Sequence, residues 1–494
     1  MALILVLVLA LLLRLVNISQ SFWLDETVQA ITSKGSFFSL LHELKGDFHP
    51  PLYHFLMWGW ARLFGNSEIA MRMPSVLLGV ATVWLTYLIA KQLLDKQALK
   101  DKWTKWLPLV SAVFMATAPF HIYYSQEARM YAAGAFFTAL SFYFFLRLVN
   151  RGKNGLDWLA VFYILSTLGM LYCDYYGLFA FFVQIIASVF FLRKRTMEFA
   201  RNFGLISVLF LPALILLSIQ LKTGIAANEV LPGWGQLVNL SFFKALPLTF
   251  IKFSLGRITI FNKQLYAFVG VTLFAIYALI MGQSLLIKKK KLTVNYQSLI
   301  IIFLWFMAPV FLAWIVSFLI PNYQPFRLLL SLTPFYILLS IGAFRIEKLF
   351  LRWLIIGFVV VVNLTALSVY YFNPYFHRED WRGATRYIEM SDKQSLVVFP
   401  SHTSYWPYSY YSEGKVPFVG AGKGIAQVTT FNTANLVKEI PNFDRLEKVY
   451  YIYYLADLFD PNSLVINWLE GHNFVKIGET IFNQLRIQEW QRWK

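Results

Sequence analysis

The sequence predicts a polytopic α-helical membrane protein of about 11 transmembrane helices, residues 1–372, followed by an extracytoplasmic α/β domain, residues 373–494. Three observations carry this. Hydrophobic residues make up 58% of the 494 and charged residues only 14%, a composition in which the bilayer is the main solvent. Apolar runs near the 20 residues a span needs recur along the first three quarters of the chain. The last 120 or so residues instead alternate short helical and strand patterns. A single cysteine, Cys173, excludes an internal disulfide and any CxxC metal or redox site.

The first element is "MALILVLVLALLLRLVNIS", which lacks a basic leader, holds Arg14 within its apolar run and shows no small-residue cleavage site. It reads as a retained first span. Further spans are centred near residues 82, 114, 138, 165, 183, 211, 276, 309, 335 and 362. With the N-terminus cytoplasmic, the inner loops hold Lys96, Lys100, Lys102 and Lys105, then Arg151 and Lys153, then Arg193, Lys194, Arg195 and Arg201. They continue with "KKKK" at 288–291 and with Arg345, Lys348 and Arg352. Every inner loop is basic, so the net charge of +18 is mainly a topology signal, with acidic lipid headgroups rather than nucleic acid as partner.

The outer side receives the loop 18–70, turns near 121–128 and 173–175, a loop near 220–264, "PNYQPF" at 321–326 and the tail. In the tail "EDWRGATRYIEM" and "SLVINWLEGH" read as helices, and "SLVVF", "KVYYIYYL" and "FVKIGETIF" as strands. In the first loop, Pro50 and Pro51 end any preceding helix and suit the first turn of a new one. Leu52, Phe55, Leu56 and Leu63 then recur at helical spacing, with Trp58 and Trp60 adding aromatic surface, as expected of a helix lying in the interface.

The polar residues near span ends, Asp25, Glu26, His49, His121, Glu127, Arg129, Asp174, Tyr323, Gln324 and Arg327, all fall on that outer side. One-sided clustering of costly groups indicates an outward-facing polar site. Adjacent Asp25 and Glu26 cannot point the same way from one helix, so one faces a reacting group while the other caps, pairs or binds an ion. The competing readings are a helix cap in "DETVQAI" and a local ion pair between Glu127 and Arg129. Together the groups fit displacement of a lipid phosphate from a sugar carbon. A carboxylate serves as general base to an acceptor hydroxyl, and Arg129, His49 or Arg327 binds the departing phosphate.

The ordered motifs "FWLDE", "HPPLYHFLMW", "LFGNSEIAMRMPSVLLG", "YSQEARMYA", "YYGLF" and "FRLLLSLTPFYILLSIG" resemble the GT-C glycosyltransferases of the protein O-mannosyltransferase and lipid A aminoarabinose transferase type. The resemblance covers roughly the first 190 residues and recurs near 321–345. It implies a membrane enzyme that draws a hexosyl or pentosyl group from a polyprenyl-phosphate carrier and hands it to a glycan, lipid or protein hydroxyl. In that light Asp25 resembles the catalytic base and Glu26 its partner in positioning acceptor or ion. His49, where some relatives carry a lysine, is read with Arg129 and Arg327 as binding the donor phosphate. Glu127, Asp174, Tyr53 and Tyr323 are candidates for binding substrate or ion.

Arg14 is similar to an arginine in the first span of such enzymes, with snorkelling as the plainer reading. Relatives differ in metal use, so a divalent cation held by Asp25, Glu26, Glu127 and Asp174 is left open. The tail is similar to the outer domain of some bacterial relatives, which implies a prokaryotic plasma-membrane protein whose tail helps to select acceptor. An inverting transferase is thus expected, with a secondary transporter or lipid-carrier flippase as the alternative. A transporter would hold its site nearer the midplane.

Overall fold

The structure, a computed structural model, describes residues 1–151, 157–191, 195–231, 233–285, 294–391, 394–421 and 445–493. Among these, seven helices are long and apolar enough to cross a membrane, or eight if one bent pair is a single span. The seven are Glu68–Leu93, Tyr131–Asn150, Thr196–Ala227, Lys263–Leu285, Tyr296–Val316, Pro325–Phe344 and Leu349–Phe372. The other three expected spans, Ala2–Leu15, Trp158–Cys173 and Gly177–Phe191, are apolar helices of 14, 16 and 15 residues, short of a full crossing. Every expected centre falls in an apolar helix, but the count of eleven is not established.

The bent pair positions the site. Thr104–Thr117 and Pro119–Ser125 meet at 59°. Pro119 lacks an N–H and drives Ala118 to an extended conformation, φ −60° and ψ 110°, which ends the first helix. The second half carries Tyr123 and Tyr124, and the turn after it carries Glu127 and Arg129, into the cavity described below. Arg14 does not snorkel: it is fully buried, and it donates to Ala10 O at 2.9 Å and contacts His121 Nδ1 at 2.7 Å. His121, read as part of the outer site, is thereby a packing partner of the first helix.

Hydrogen bonds join the span ends near 93, 150, 191 and 295. Asn295 N–H donates to Leu93 O, Asn295 to Asn150 at 3.2 Å, and Gln297 to Phe191 O at 3.5 Å. These are the loops the basic residues assign to one side; Lys153, Arg193, Lys194 and "KKKK" at 288–291 lie outside the described residues. At the other end of helix Tyr131–Asn150, Tyr131 lines the cavity described below.

The first loop folds into Leu24–Lys34, Phe37–Glu43 and Leu52–Phe64. The last begins directly after Pro50 and Pro51, buries Tyr53, His54 and Met57, and leaves Leu56, Leu63 and Phe64 exposed on its other side. Arg62 clamps it to the first of the three, stacking on Trp58 at 3.6 Å and donating to Ser33 O at 2.9 Å and Gly35 O at 2.6 Å.

The C-terminal region forms a five-stranded sheet in the order β2-β1-β3-β5-β4, with β1 Ser395–Phe399, β2 Phe418–Gly420, β3 Lys448–Ile452, β4 Phe474–Phe482 and β5 Leu485–Arg492. The parallel strand β1 lies between β2 and β3, and β3, β5 and β4 pair antiparallel. Alternation splits the core between the two faces. Leu396, Val398, Val449 and Tyr451 pack with helix Leu464–Gly471, and Val397, Phe399, Tyr450 and Ile452 with helix Trp381–Glu389. This unit docks on the first loop through Tyr411, which donates to Glu68 at 2.8 Å, and Tyr410, which donates to Asn66 O at 2.7 Å.

Candidate active site

A cavity of about 1220 Å³ opens between the first-loop helices, the ends of several apolar helices and the C-terminal unit. It is lined by Asp25, His49, Glu127, Arg129, Gln324 and Arg327 from the sequence reading, and by Asp47, His54, Lys252, Arg257, Arg378, Glu379 and Tyr454, which that reading passed over. Its size exceeds the roughly 300–1,000 Å³ of a small-ligand pocket and leaves room for two substrates.

Asp25 and Glu26 occupy the first turn of helix Leu24–Lys34, where the positive end of the helix dipole favours acids. The N-cap is Trp23 and makes no side-chain cap bond, so the capping reading of Asp25 falls. The two carboxylates diverge. Asp25 faces the cavity, its side chain 36% exposed, with Oδ2 3.4 Å from Arg129 Nη2. Burial raises its pKa; Arg129 and Arg327 oppose the shift, while Asp47 and Glu26 add to it.

Glu26 points inward and is fully buried. Arg72 donates to it twice, at 2.8 and 2.6 Å, Ala128 N–H donates at 2.8 Å and Arg378 stands 3.4 Å away. Burial opposes its ionisation, but Arg378 and Arg72 outweigh that and hold its pKa below the usual value. Glu26 thus ties the first loop to helix Glu68–Leu93, to the bend before Tyr131 and to the tail. It does not line the cavity.

Glu127 also turns to Arg378, at 3.8 Å, while Arg129 turns to Asp25, so the local pair between Glu127 and Arg129 gives way to two longer-range ones. Two carboxylates sharing one arginine cannot ionise equally. Burial pushes Glu127 up to about 7, with Glu26 adding to the shift. Burial would lower the Arg129 pKa, yet Asp25 and its other anionic neighbours outweigh it and raise it. The Nε–H groups of Arg129 and Arg327 are buried with no acceptor among the described residues. Two orphaned guanidinium donors in one cavity wall suit a bound anion with several acceptor oxygens.

His49 lies beside Arg129 and is bonded to Asp47 through Nδ1 at 2.6 Å; His54 Nε2 reaches the other Asp47 oxygen at 3.2 Å. Burial lowers the His49 pKa to about 4, so the ring is neutral at pH 7. Asp47 is held well below its usual range: burial resists ionisation, and the two histidines beside it outweigh that. On the far wall Lys252 donates to Arg257 O at 3.3 Å, and burial, with Arg257, lowers its pKa to about 7.

Besides Glu26, three expected site residues stand elsewhere. Tyr53 is buried below the cavity, bonded to Ser75 at 3.2 Å, and Ser75 in turn donates to Arg129 O, so Tyr53 braces the arginine. Tyr323 spends its hydroxyl on Thr249 at 2.8 Å. Asp174 accepts from Tyr176 N–H at 2.9 Å, packs against Gly134 and does not line the cavity; burial raises its pKa to about 6. The oxygen-ligand set read from Asp25, Glu26, Glu127 and Asp174 is therefore not assembled. No three His, Cys, Asp or Glu side chains among the described residues come together to hold a metal ion.

Arg72 carried a signal in the sequence, an arginine inside an apolar span, as did Asp47 and His54, which flank the double proline. Arg378 carried none, since its partners are distant in sequence.

Residues 48–221 match the family model for dolichyl-phosphate-mannose-protein mannosyltransferases. The fold superposes on ArnT from Cupriavidus metallidurans in the apo state with a TM-score of 0.59 at 12% identity, over 98% of this chain and 97% of that one. The same protein bound to undecaprenyl phosphate matches with a TM-score of 0.55, at 12% identity over 98% and 97% of the two chains. No curated protein sequence matches the chain significantly. The GT-C resemblance of the motifs is borne out.

Proposed function

We propose that this GT-C-fold membrane protein of the mannosyltransferase-like type is an inverting glycosyltransferase, moving a sugar from a polyprenyl-phosphate carrier to an acceptor hydroxyl on the extracytoplasmic face. The observation that carries the reading is Asp25 beside Arg129 in a cavity whose wall holds two arginines with unpaired buried Nε–H groups. ArnT bound to undecaprenyl phosphate, a structural neighbour, supports the choice of carrier.

In this reading Arg129 and Arg327 hold the carrier phosphate. The acceptor oxygen attacks the anomeric carbon from the opposite face and passes its proton to Asp25. The bond from that carbon to the phosphate oxygen breaks, and the polyprenyl phosphate leaves with the bonding pair. The leaving group is already an anion, so one carboxylate suffices, unlike the pair a glycosidase needs. Glu26 acts as the clamp that fixes the first loop.

Residues 1–372 form the catalytic membrane portion and 373–494 an outer domain. Thr403, Trp406, Tyr454 and Leu458 of that domain line the cavity, which supports a part in acceptor selection. Incubating the purified protein with a panel of polyprenyl-phosphate sugars and following carrier release by mass spectrometry tests the reading; release of no carrier from any donor and acceptor pair would reject it.

A further inference from the structure

The reading of His49 as a phosphate ligand meets a difficulty in its hydrogen bonds. Asp47 is ionised and can only accept, and it already takes bonds from Phe48 N–H at 2.5 Å and from His54. The 2.6 Å contact with His49 therefore requires the imidazole proton on Nδ1. Arg129 Nη2, 3.4 Å from that same nitrogen, is also a donor, so this contact is packing rather than a bond. The other ring nitrogen, Nε2, is left with a lone pair. It is buried with no partner among the described residues, on a histidine only 8% exposed that lines the cavity. A neutral ring presenting a lone pair repels phosphate oxygens and accepts from hydroxyls.

The ring is held firmly. Gln220, on helix Thr196–Val230, donates to Leu44 O at 2.9 Å and His49 O at 3.1 Å, and Tyr131 packs edge-on against the imidazole. Pro50 and Pro51 follow it immediately and restrict the backbone. The ring that carries this acceptor packs on Arg129 through its other nitrogen, so it stands beside the arginine assigned to the carrier phosphate and near whatever that phosphate carries.

We infer that His49 Nε2 accepts a hydrogen bond from a hydroxyl of the sugar on the carrier, with Asp47 as the positioning residue that fixes the tautomer. His49 is then a donor-sugar recognition residue, and the phosphate is left to Arg129 and Arg327. The inference rests on the glycosyltransferase reading and narrows it to donors with a free hydroxyl near the phosphate-bearing carbon.

The test measures binding of two probes to the full-length protein in detergent: bare polyprenyl phosphate and a polyprenyl-phosphate hexose. His49→Gln retains a side-chain acceptor, whereas His49→Lys offers only donors. His49→Lys is expected to weaken the sugar-linked probe by about tenfold or more, and to hold bare polyprenyl phosphate at least as well as the parent. His49→Gln keeps most of the preference for the sugar-linked probe, and Asp47→Ala loses it while still binding the bare carrier.

If His49→Lys binds the sugar-linked probe as well as the parent, or if His49→Gln loses both probes alike, His49 is a phosphate ligand and the inference fails. A parent protein that binds neither probe would overturn the glycosyltransferase reading itself, a result distinct from either of these.

Discussion

Glu26→Gln separates the two acids of the first-loop helix most sharply. The substitution keeps the shape of the side chain and removes its charge, leaving Arg72 and Arg378, both buried, without the anion they share. Removing one partner of a buried, fully bonded ion pair costs about 3–5 kcal/mol. For a chain of this size that corresponds to a fall in Tm of about 3–5 °C. Asp25→Asn breaks only a 3.4 Å pair whose carboxylate is 36% exposed. Its cost is at most about 1 kcal/mol.

Thermal unfolding of both variants in one detergent, followed by intrinsic fluorescence beside a carrier-release assay, should therefore show opposite patterns. Asp25→Asn melts close to the parent and is inactive, and Glu26→Gln melts early. A Glu26→Gln protein with the melting point of the parent and no activity would place Glu26 at the reacting atoms and refute its assignment as a clamp.

Other outcomes follow from the same geometry. Asp25 must be ionised to accept a proton, and burial raises its pKa, so the acid limb of the rate profile should lie above the ordinary carboxylate value of about 3.9. Arg327 favours the ionised form, so Arg327→Gln should move that limb to higher pH and raise the donor KM; an unmoved limb would count against Asp25 as the titrating base. Arg378→Gln should leave Glu26 and Glu127 short of a cation and expose the 373–421 segment to limited proteolysis, whereas an unchanged digestion pattern would separate the tail from the clamp. At Gly342 an added Cβ would sit 1.9 Å from Ile280 O, so Gly342→Ala should force two spans apart and cost about 1–3 kcal/mol, read as a lower Tm.

The sequence made the outer site legible where local rules suffice. Adjacency in "LDET" forced Asp25 and Glu26 apart, and the double proline announced the helix at Leu52. It did not reveal which acid faced the cavity, because the answer lies in Arg72 and Arg378, and periodicity carries no information about partners remote in the chain. For the same reason Tyr53 and Tyr323 passed as substrate contacts until Ser75 and Thr249 were seen to hold their hydroxyls.

In the tail β1, β3 and β4 stood out as runs rich in β-branched and aromatic residues, but β2 and β5 did not. "LRIQEWQR" breaks its apolar rhythm at Glu489, which pairs with Lys448 across the sheet. The turn that joins it to β4, Asn483 and Gln484 with φ of 43° and 70°, lacks the glycine that usually marks such a hairpin. The span count stays open because three of the expected spans are apolar helices of 14 to 16 residues, near the lower limit of what crosses a bilayer.

The central claim is tested most directly by presenting the purified full-length protein and its Asp25→Asn variant with a polyprenyl-phosphate sugar and a panel of acceptors, and measuring released carrier and glycosylated product by mass spectrometry. The expected result is release coupled one-to-one to product in the parent, with a loss of roughly a hundredfold to ten-thousandfold in the variant, the contribution of a general base. Equal release by both proteins would remove Asp25 from the chemistry, and movement of intact sugar-linked carrier across a vesicle membrane without any release would make the protein a flippase.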